Sequence, residues 1–165
     1  LESLVEAVNL IEDRNFEIRL IGEGRNKNKL INLVNKKGLY DVIKFFDSVR
    51  PKELLNYFEE SHFLYLSLKK TPLFEKTVPA KFQTYLAVGI PIIGYISGET
   101  NDLISKYNLG FTCDSNNVNQ LVAILKNIST LKDKDYKEMK VNCKSIYTAE
   151  YHSIIRKNDI LNLLK

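Results

Sequence analysis

The period of the hydrophobic positions changes repeatedly along this chain, and each change marks an element. Leu1, Leu4, Val5, Val8 and Ile11 recur at helical spacing, so the chain opens on an amphipathic helix that the polar "EDRN" closes. "FEIRLIG" (16–22) alternates and then meets Gly22 and Gly24, the pattern of a strand entering a turn. Helical spacing returns at Leu30, Leu33 and Val34 and stops at Gly38, which is expected to lie just past the helix end. "VIKFF" (42–46) reads as a second strand, and Pro51 as the first residue of a helix with Leu54, Leu55 and Phe58 on one face.

The second half repeats the plan. "HFLYLSL" (62–68) is the third strand, a helix is predicted from about Pro79, and "IPIIGYI" (90–96) is the fourth strand. Thr100 is expected to cap a short helix, and "GFTC" (110–113) to form a short last strand. From about Asn117 the chain is helical, with Val118, Leu121, Val122 and Leu125 on one stripe and a break near "TAEYHS". The third and fourth strands are too apolar to keep a wet face, and strands alternate with helices. Together these predict an α/β fold, a Rossmann-like parallel sheet with helices on both faces. Ligands of such sheets bind beyond the carboxyl ends of the strands, where loops lead into helix N-termini.

Composition narrows the possibilities. With 165 residues and 44% hydrophobic content the chain is long enough for one packed domain, read as a single lobe over 1–165 with 117–165 as its helical C-terminal portion. Its 24 Lys+Arg against 20 Asp+Glu give a net charge of +4, and the basic residues are scattered, which argues against a nucleic-acid partner. The same scatter permits loose attachment to an anionic membrane surface. Cys113 and Cys143 have no metal or disulfide spacing, so neither a zinc site nor a disulfide framework is predicted and a reducing cytoplasm fits. No apolar run approaches the roughly 18 residues of a membrane span, and no signal-peptide pattern is present. The chain opens inside a helical pattern and its single methionine is Met139, so it is expected to be a piece of a longer protein.

The stretch "FEKTVPAKFQTYLAVG" (74–89) carries the candidate chemistry. In a helix begun near Pro79, Phe82, Tyr85 and Leu86 face the core while Lys81, Thr84 and Val88 share another face. The first-turn amides and the positive end of the helix dipole attract an anion, most often a phosphate. The plainer reading is that Thr77 caps the helix and Lys81 is solvated. Gly22 and Gly24 invite a dinucleotide-binding reading, but Lys27 stands where the third glycine of that fingerprint belongs. His62 and His152 are read as structural, Cys113 as a small core residue, and Tyr57, Phe58, Phe63 and Tyr65 as packing rather than a stacking platform.

"VPAKFQTYLAVGIPIIG", with "SGET" after it and "LIGEG" before it, resembles the nucleotide-sugar-binding C-terminal domain of GT-B glycosyltransferases, in particular family four and its branch that builds bacterial surface polysaccharides. "LESLVEAVNLI", "EIRLIGEGRNKNKL", "DVIKFF", "FLYLSL" and "NLGFTC" fall in the family's order, and residues 74–94 are the most specific part. The resemblance implies transfer of a sugar from a nucleoside diphosphate, UDP by preference, with retention at the anomeric carbon and no metal or other cofactor.

The resemblance also distributes roles. Two acidic residues, separated by seven others, contact sugar and ribose in the family; Glu75 or Lys76 falls at the first position, and Thr84 at the second, where a carboxylate is usual. Glu75 is accordingly the candidate catalytic group that orients the donor sugar. Thr77 and Val78 offer amides to the diphosphate, Lys76 or Lys81 neutralises it, and Glu99 stands beside Thr84 on the ribose side. Ser48, Val49 and Arg50 are the expected base-side contacts, with Arg50 equally readable as a solvated residue before a proline. By the resemblance the acceptor is expected to bind an N-terminal lobe outside these 165 residues, and the family's first strand, ahead of "LESLVEAV" and mid-sheet, is expected to be missing. The isolated chain is therefore expected to be inactive. A sugar-nucleotide epimerase of the same two-lobed plan and a noncatalytic interaction domain are the alternative functions.

Overall fold

The computed structural model describes residues 1–151. In chain order they form α1 (Glu2–Asn9), β1 (Ile18–Ile21), α2 (Lys27–Lys36), β2 (Ile43–Phe46), α3 (Pro51–Glu59), β3 (Leu64–Ser67), α4 (Pro72–Glu75), α5 (Ala80–Val88), β4 (Ile92–Tyr95), α6 (Glu99–Lys106), β5 (Gly110–Cys113), α7 (Val118–Asn127) and α8 (Asp133–Ile146). The order is α/β, with parallel strands and intervening helices, as the periodicity predicts. The chain separates into two compact units, Leu1–Glu60 with Asn116–Leu131, and Ser61–Ser115 with the segment from Lys132 onward.

In the first unit, β1 and β2 pair in parallel with Ile18 opposite Ile43. The apolar stripe of α1 buries Leu4, Val5, Ala7 and Val8 and packs on α7, whose Leu121 and Leu125 are also buried. Asn117 starts α7 as an N-cap, its side-chain oxygen accepting from the Gln120 amide at 3.0 Å. The predicted stop of α2 at Gly38 is present: φ is 64° there, Leu39 N–H donates to the Val34 carbonyl at 3.0 Å and Gly38 N–H to Asn35 at 3.0 Å. Those two bonds satisfy carbonyls that the helix end would leave bare.

In the second unit β4 is the middle strand, with β3 and β5 parallel on either side and Ile92 in register with both Leu64 and Gly110. Every residue of β4 is buried. Its core joins Leu66, Ile92 and Ile96 to Phe82 and Leu86 of α5, Ile104 of α6 and Cys143 of α8. Gly110 permits the β4–β5 contact: a Cβ there would lie 2.1 Å from the Ile92 carbonyl oxygen, and its φ of +141° disfavours other residues. Where a break near 148–153 was expected, α8 gives way to a π-turn at Tyr147–Tyr151. The rest of that expectation, with His152, lies outside the described residues.

Several local readings are corrected. Thr100 is not an N-cap; Gly98 holds that place and Thr100 is the second residue of α6. Ahead of the helix predicted from Pro79 lies a further turn, α4, which Pro72 opens and whose Phe74 amide donates to the Thr71 hydroxyl oxygen at 3.2 Å. His62 precedes β3 rather than beginning it, and its carbonyl accepts from the Tyr136 hydroxyl at 3.1 Å. Among the described residues the strands form two parallel ladders, β1–β2 and β3–β4–β5, with no strand ahead of α1.

Burial pushes the Cys113 thiol up to about 11 and the Cys143 thiol up to about 12. Both are free and buried, so neither presents a thiolate to solvent near neutrality. At pH 8 an aromatic disulfide reagent is expected to label both thiols in denaturant and, in the native protein, at least about a hundredfold more slowly. Native labelling within tenfold of the denatured rate would contradict the closed packing around α8.

Candidate functional site

The site is built from the loops that follow β3 and β4. Pro79 ends the turn after α4 and precedes the first residue of α5, where it has no side chain to cap with. Phe82 N–H folds back to the Pro79 carbonyl at 2.9 Å. The amides of Val78, Ala80 and Lys81 have no acceptor among the described residues. Three such donors at the positive end of a helix form an anion-binding arrangement.

Thr77 sits differently from both of its readings. Its hydroxyl donates back to Leu73 of α4 at 2.6 Å, so it does not cap α5. Its amide is committed to the Phe74 carbonyl at 3.2 Å, which leaves Val78, Ala80 and Lys81 as the amides on offer. Its carbonyl accepts from the Thr100 hydroxyl at 3.1 Å, fastening the turn to α6. Thr77 is a structural pivot in this arrangement.

Gly98, the N-cap of α6, makes the second fastening. Its φ of 80° and ψ of −151° belong to glycine, and a Cβ would lie 2.1 Å from the Glu75 carbonyl oxygen. The start of α6 is thus pressed against the backbone of Glu75, and no side chain caps it either. Glu99, next in the chain, is exposed.

The side chains around these turns are mostly wet. Lys76, Lys81 and Thr84 are exposed and Glu75 is half-buried. Thr84 donates its hydroxyl to the Ala80 carbonyl at 3.2 Å, so only its lone pairs face outward. Two residues with no predicted role also belong here: Lys70, three residues past β3, holds Asp114, the first residue past β5, at 2.9 Å and stands 4.0 Å from Glu75. The pair with Asp114 raises the Lys70 ammonium above its ordinary value. Their places at strand carboxyl ends were the available signal. Among the described residues no three His, Cys, Asp or Glu side chains group as metal ligands.

The base-side candidates belong to the first unit. Lys27 reaches from the start of α2 to Glu23 at 2.7 Å and to Asp47, just past β2, at 2.8 Å. That contact holds the Asp47 carboxyl below its usual range. A cation bridging two loops occupies the place of the third fingerprint glycine, so no pyrophosphate cradle of the dinucleotide type forms there. Ser48 is exposed and Val49 half-buried. Arg50 stands at the N-cap position of α3, its backbone amide donating to the Glu53 carboxylate at 3.2 Å and its Nε at 2.9 Å.

The fold is that of the Rossmann-like C-terminal domain of GT-B glycosyltransferases. The chain belongs to the family of glycosyl transferases group 1, whose pattern it matches over residues 1–145. A glycosyltransferase from Rickettsia africae shares the fold with a TM-score of 0.80 at 17% identity, over 98% of this chain and 42% of that one. HepE from Anabaena, solved in complex with UDP, gives 0.79 at 14%, over 99% and 44%. The C-terminal domain of a group 1 family protein (LpcC) from Francisella tularensis gives 0.67 at 14%, over 92% and 78%. This chain thus spans less than half the length of the first two. Comparison with curated proteins finds no match.

Gly98→Ala is expected to lower stability by more than about 2 kcal/mol, because backbone strain and the overlap with Glu75 act together. Gly24→Ala is the control, since a Cβ there meets nothing within 4 Å. Its expected effect is within about 0.5 kcal/mol. Equal thermal midpoints for the two variants would refute the close approach.

Proposed function

We propose that this chain is the donor-binding lobe of a retaining, metal-independent glycosyltransferase that takes a sugar from a nucleoside diphosphate, UDP by preference. The acceptor is a polysaccharide or lipid-linked sugar, as in family-four enzymes of bacterial surface-polysaccharide synthesis, and binds on a second lobe. The observation that carries the reading is the row of uncommitted amides at Val78, Ala80 and Lys81, at the end of a helix in a family that transfers glycosyl groups. HepE, which shares the fold, has been solved with UDP and with UDP-glucose, and this supports the choice of nucleotide.

Breaking the glycosidic bond leaves its electron pair on the β-phosphate oxygen, adding one negative charge to the two the diphosphate already carries, and catalysis requires donors already aimed at it. In this reading the amides of Val78, Ala80 and Lys81 take the phosphate oxygens, and Lys76 and Lys81 add charge from solvent. Each hydrogen bond to an ionised oxygen is worth about 1.5–3 kcal/mol, an exposed ion pair about 0–1 kcal/mol, so the backbone carries most of the grip. Glu75 orients the sugar, Thr84 and Glu99 meet the ribose, and Ser48, Val49 and Arg50 meet the base. Residues 1–165 act as one lobe, in the cytoplasm, beside the anionic membrane where lipid-linked acceptors reside. Among the described residues no helix is long and apolar enough to cross that membrane.

Titration of the chain with UDP, followed by amide nitrogen–proton shifts, is expected to move Val78, Ala80 and Lys81 most. Lys81→Ala is expected to weaken binding by no more than about fivefold, and more at low salt than at high. The chain alone is expected to transfer no sugar to any acceptor. UDP shifts confined to other segments, or their complete absence, would remove the basis of this reading.

A further inference from the structure

Glu75 ends a helix of four residues and is half-buried, yet its carboxylate has no hydrogen bond within the described residues. Among the described residues its one ion-pair partner is the Lys70 ammonium at 4.0 Å. Lys70 is itself held, because Asp114 takes it at 2.9 Å from the opposite side of the sheet's middle strand. Lys70 follows β3 and Asp114 follows β5, so the pair spans the exit of β4, the same exit that leads through Ser97 to Gly98. The backbone of Glu75 is fixed by Gly98 and its side chain faces Lys70.

We propose that Lys70 is a positioning residue for Glu75, and that Asp114 anchors Lys70 for this purpose. An ammonium has three donors; one is taken by Asp114, and the remaining ones face Glu75 and solvent. A single ammonium hydrogen-bonded to Asp114 and 4.0 Å from Glu75 sets the direction of the Glu75 carboxylate by charge without closing on it. Glu75 therefore keeps its lone pairs for a ligand hydroxyl. Asp114 prevents the alternative, in which Lys70 collapses onto Glu75 and covers it. The side chains are about one-third to two-fifths exposed, at 42% for Lys70 and Asp114 and 34% for Glu75, so the pair adds little to stability. Its effect is on orientation.

This inference rests on the proposed donor site, and the test separates the two. Binding of UDP and of a panel of UDP-sugars to the chain is measured by calorimetry, and the sugar increment is the ratio of the two affinities. Lys70→Met is expected to leave UDP affinity within about threefold and to cut the increment about tenfold, as loss of the hydrogen bond between a misaligned Glu75 carboxylate and a sugar hydroxyl implies. Lys70→Arg restores most of it, Asp114→Asn lowers it, and Lys70→Met in a Glu75→Gln background adds nothing. The thermal midpoint of Lys70→Met stays within about 4 °C of the unaltered chain, which shows that the variant is folded. An unchanged increment in Lys70→Met, with UDP and UDP-sugars bound normally, would overturn the positioning role alone. If no UDP-sugar binds the unaltered chain better than UDP, Glu75 does not meet the sugar and the role falls with it. If UDP itself does not bind, the donor site is wrong.

Discussion

The backbone of Gly98 lies so close to that of Glu75 that an added Cβ would sit 2.1 Å from the Glu75 carbonyl oxygen. This approach joins the segment after β3 to the segment after β4, with no side chain between them. The Thr100 hydroxyl, donating to the Thr77 carbonyl two residues further on, closes the same seam a second time. With both fastenings made, the turn that precedes α5 cannot move independently of α6. The open amides at Val78, Ala80 and Lys81 are held by these contacts before any ligand arrives. Such preorganisation makes donors effective, because no reorganisation is needed when charge develops opposite them.

The fastening holds because the strands beneath it cannot slide. All of β4 is buried, and Gly110 lets β5 lie against it in a register that a Cβ would break. On one side of the site Phe82 and Leu86 seat α5 in the core, and Ile104 seats α6. The division of labour is physical: apolar burial fixes where the helices begin, while the polar contacts at those beginnings decide which donors stay open.

The strands were legible because burial on both faces leaves apolar runs such as "HFLYLSL" and "IPIIGYI", and Gly38 and Pro51 mark a helix end and a helix start where the chain has them. Thr71 and Pro72 gave a cap-and-proline signal for α4, hidden because a single turn has no periodicity to detect. Thr100 was misread because a threonine ahead of an apolar run looks like a cap; its hydroxyl turned instead to a carbonyl from another loop, which spacing does not encode. The same limit concealed Lys70 and Asp114, 44 residues apart in sequence. Division into two ladders was also illegible, since periodicity defines strands but not their neighbours.

Thr84, which the resemblance sets at the family's second acidic position, follows the same logic. Thr84 gives its proton to the Ala80 carbonyl, so toward a ribose it is an acceptor with one oxygen. A carboxylate there would accept from both hydroxyls of the diol and would add a negative charge on the same helix face as Lys81. With threonine in its place that helix face carries no carboxylate to repel phosphates, and in the proposed reading the second acceptor for the diol comes from elsewhere. Glu99 is exposed and follows directly on Gly98, the residue already pressed against Glu75. A carboxylate moved from the α5 face to the start of α6 also lies where a helix N-terminus favours negative charge. Under the proposed donor-binding reading, the ribose contact would fall to Glu99 in the second loop, with Thr84 beside it.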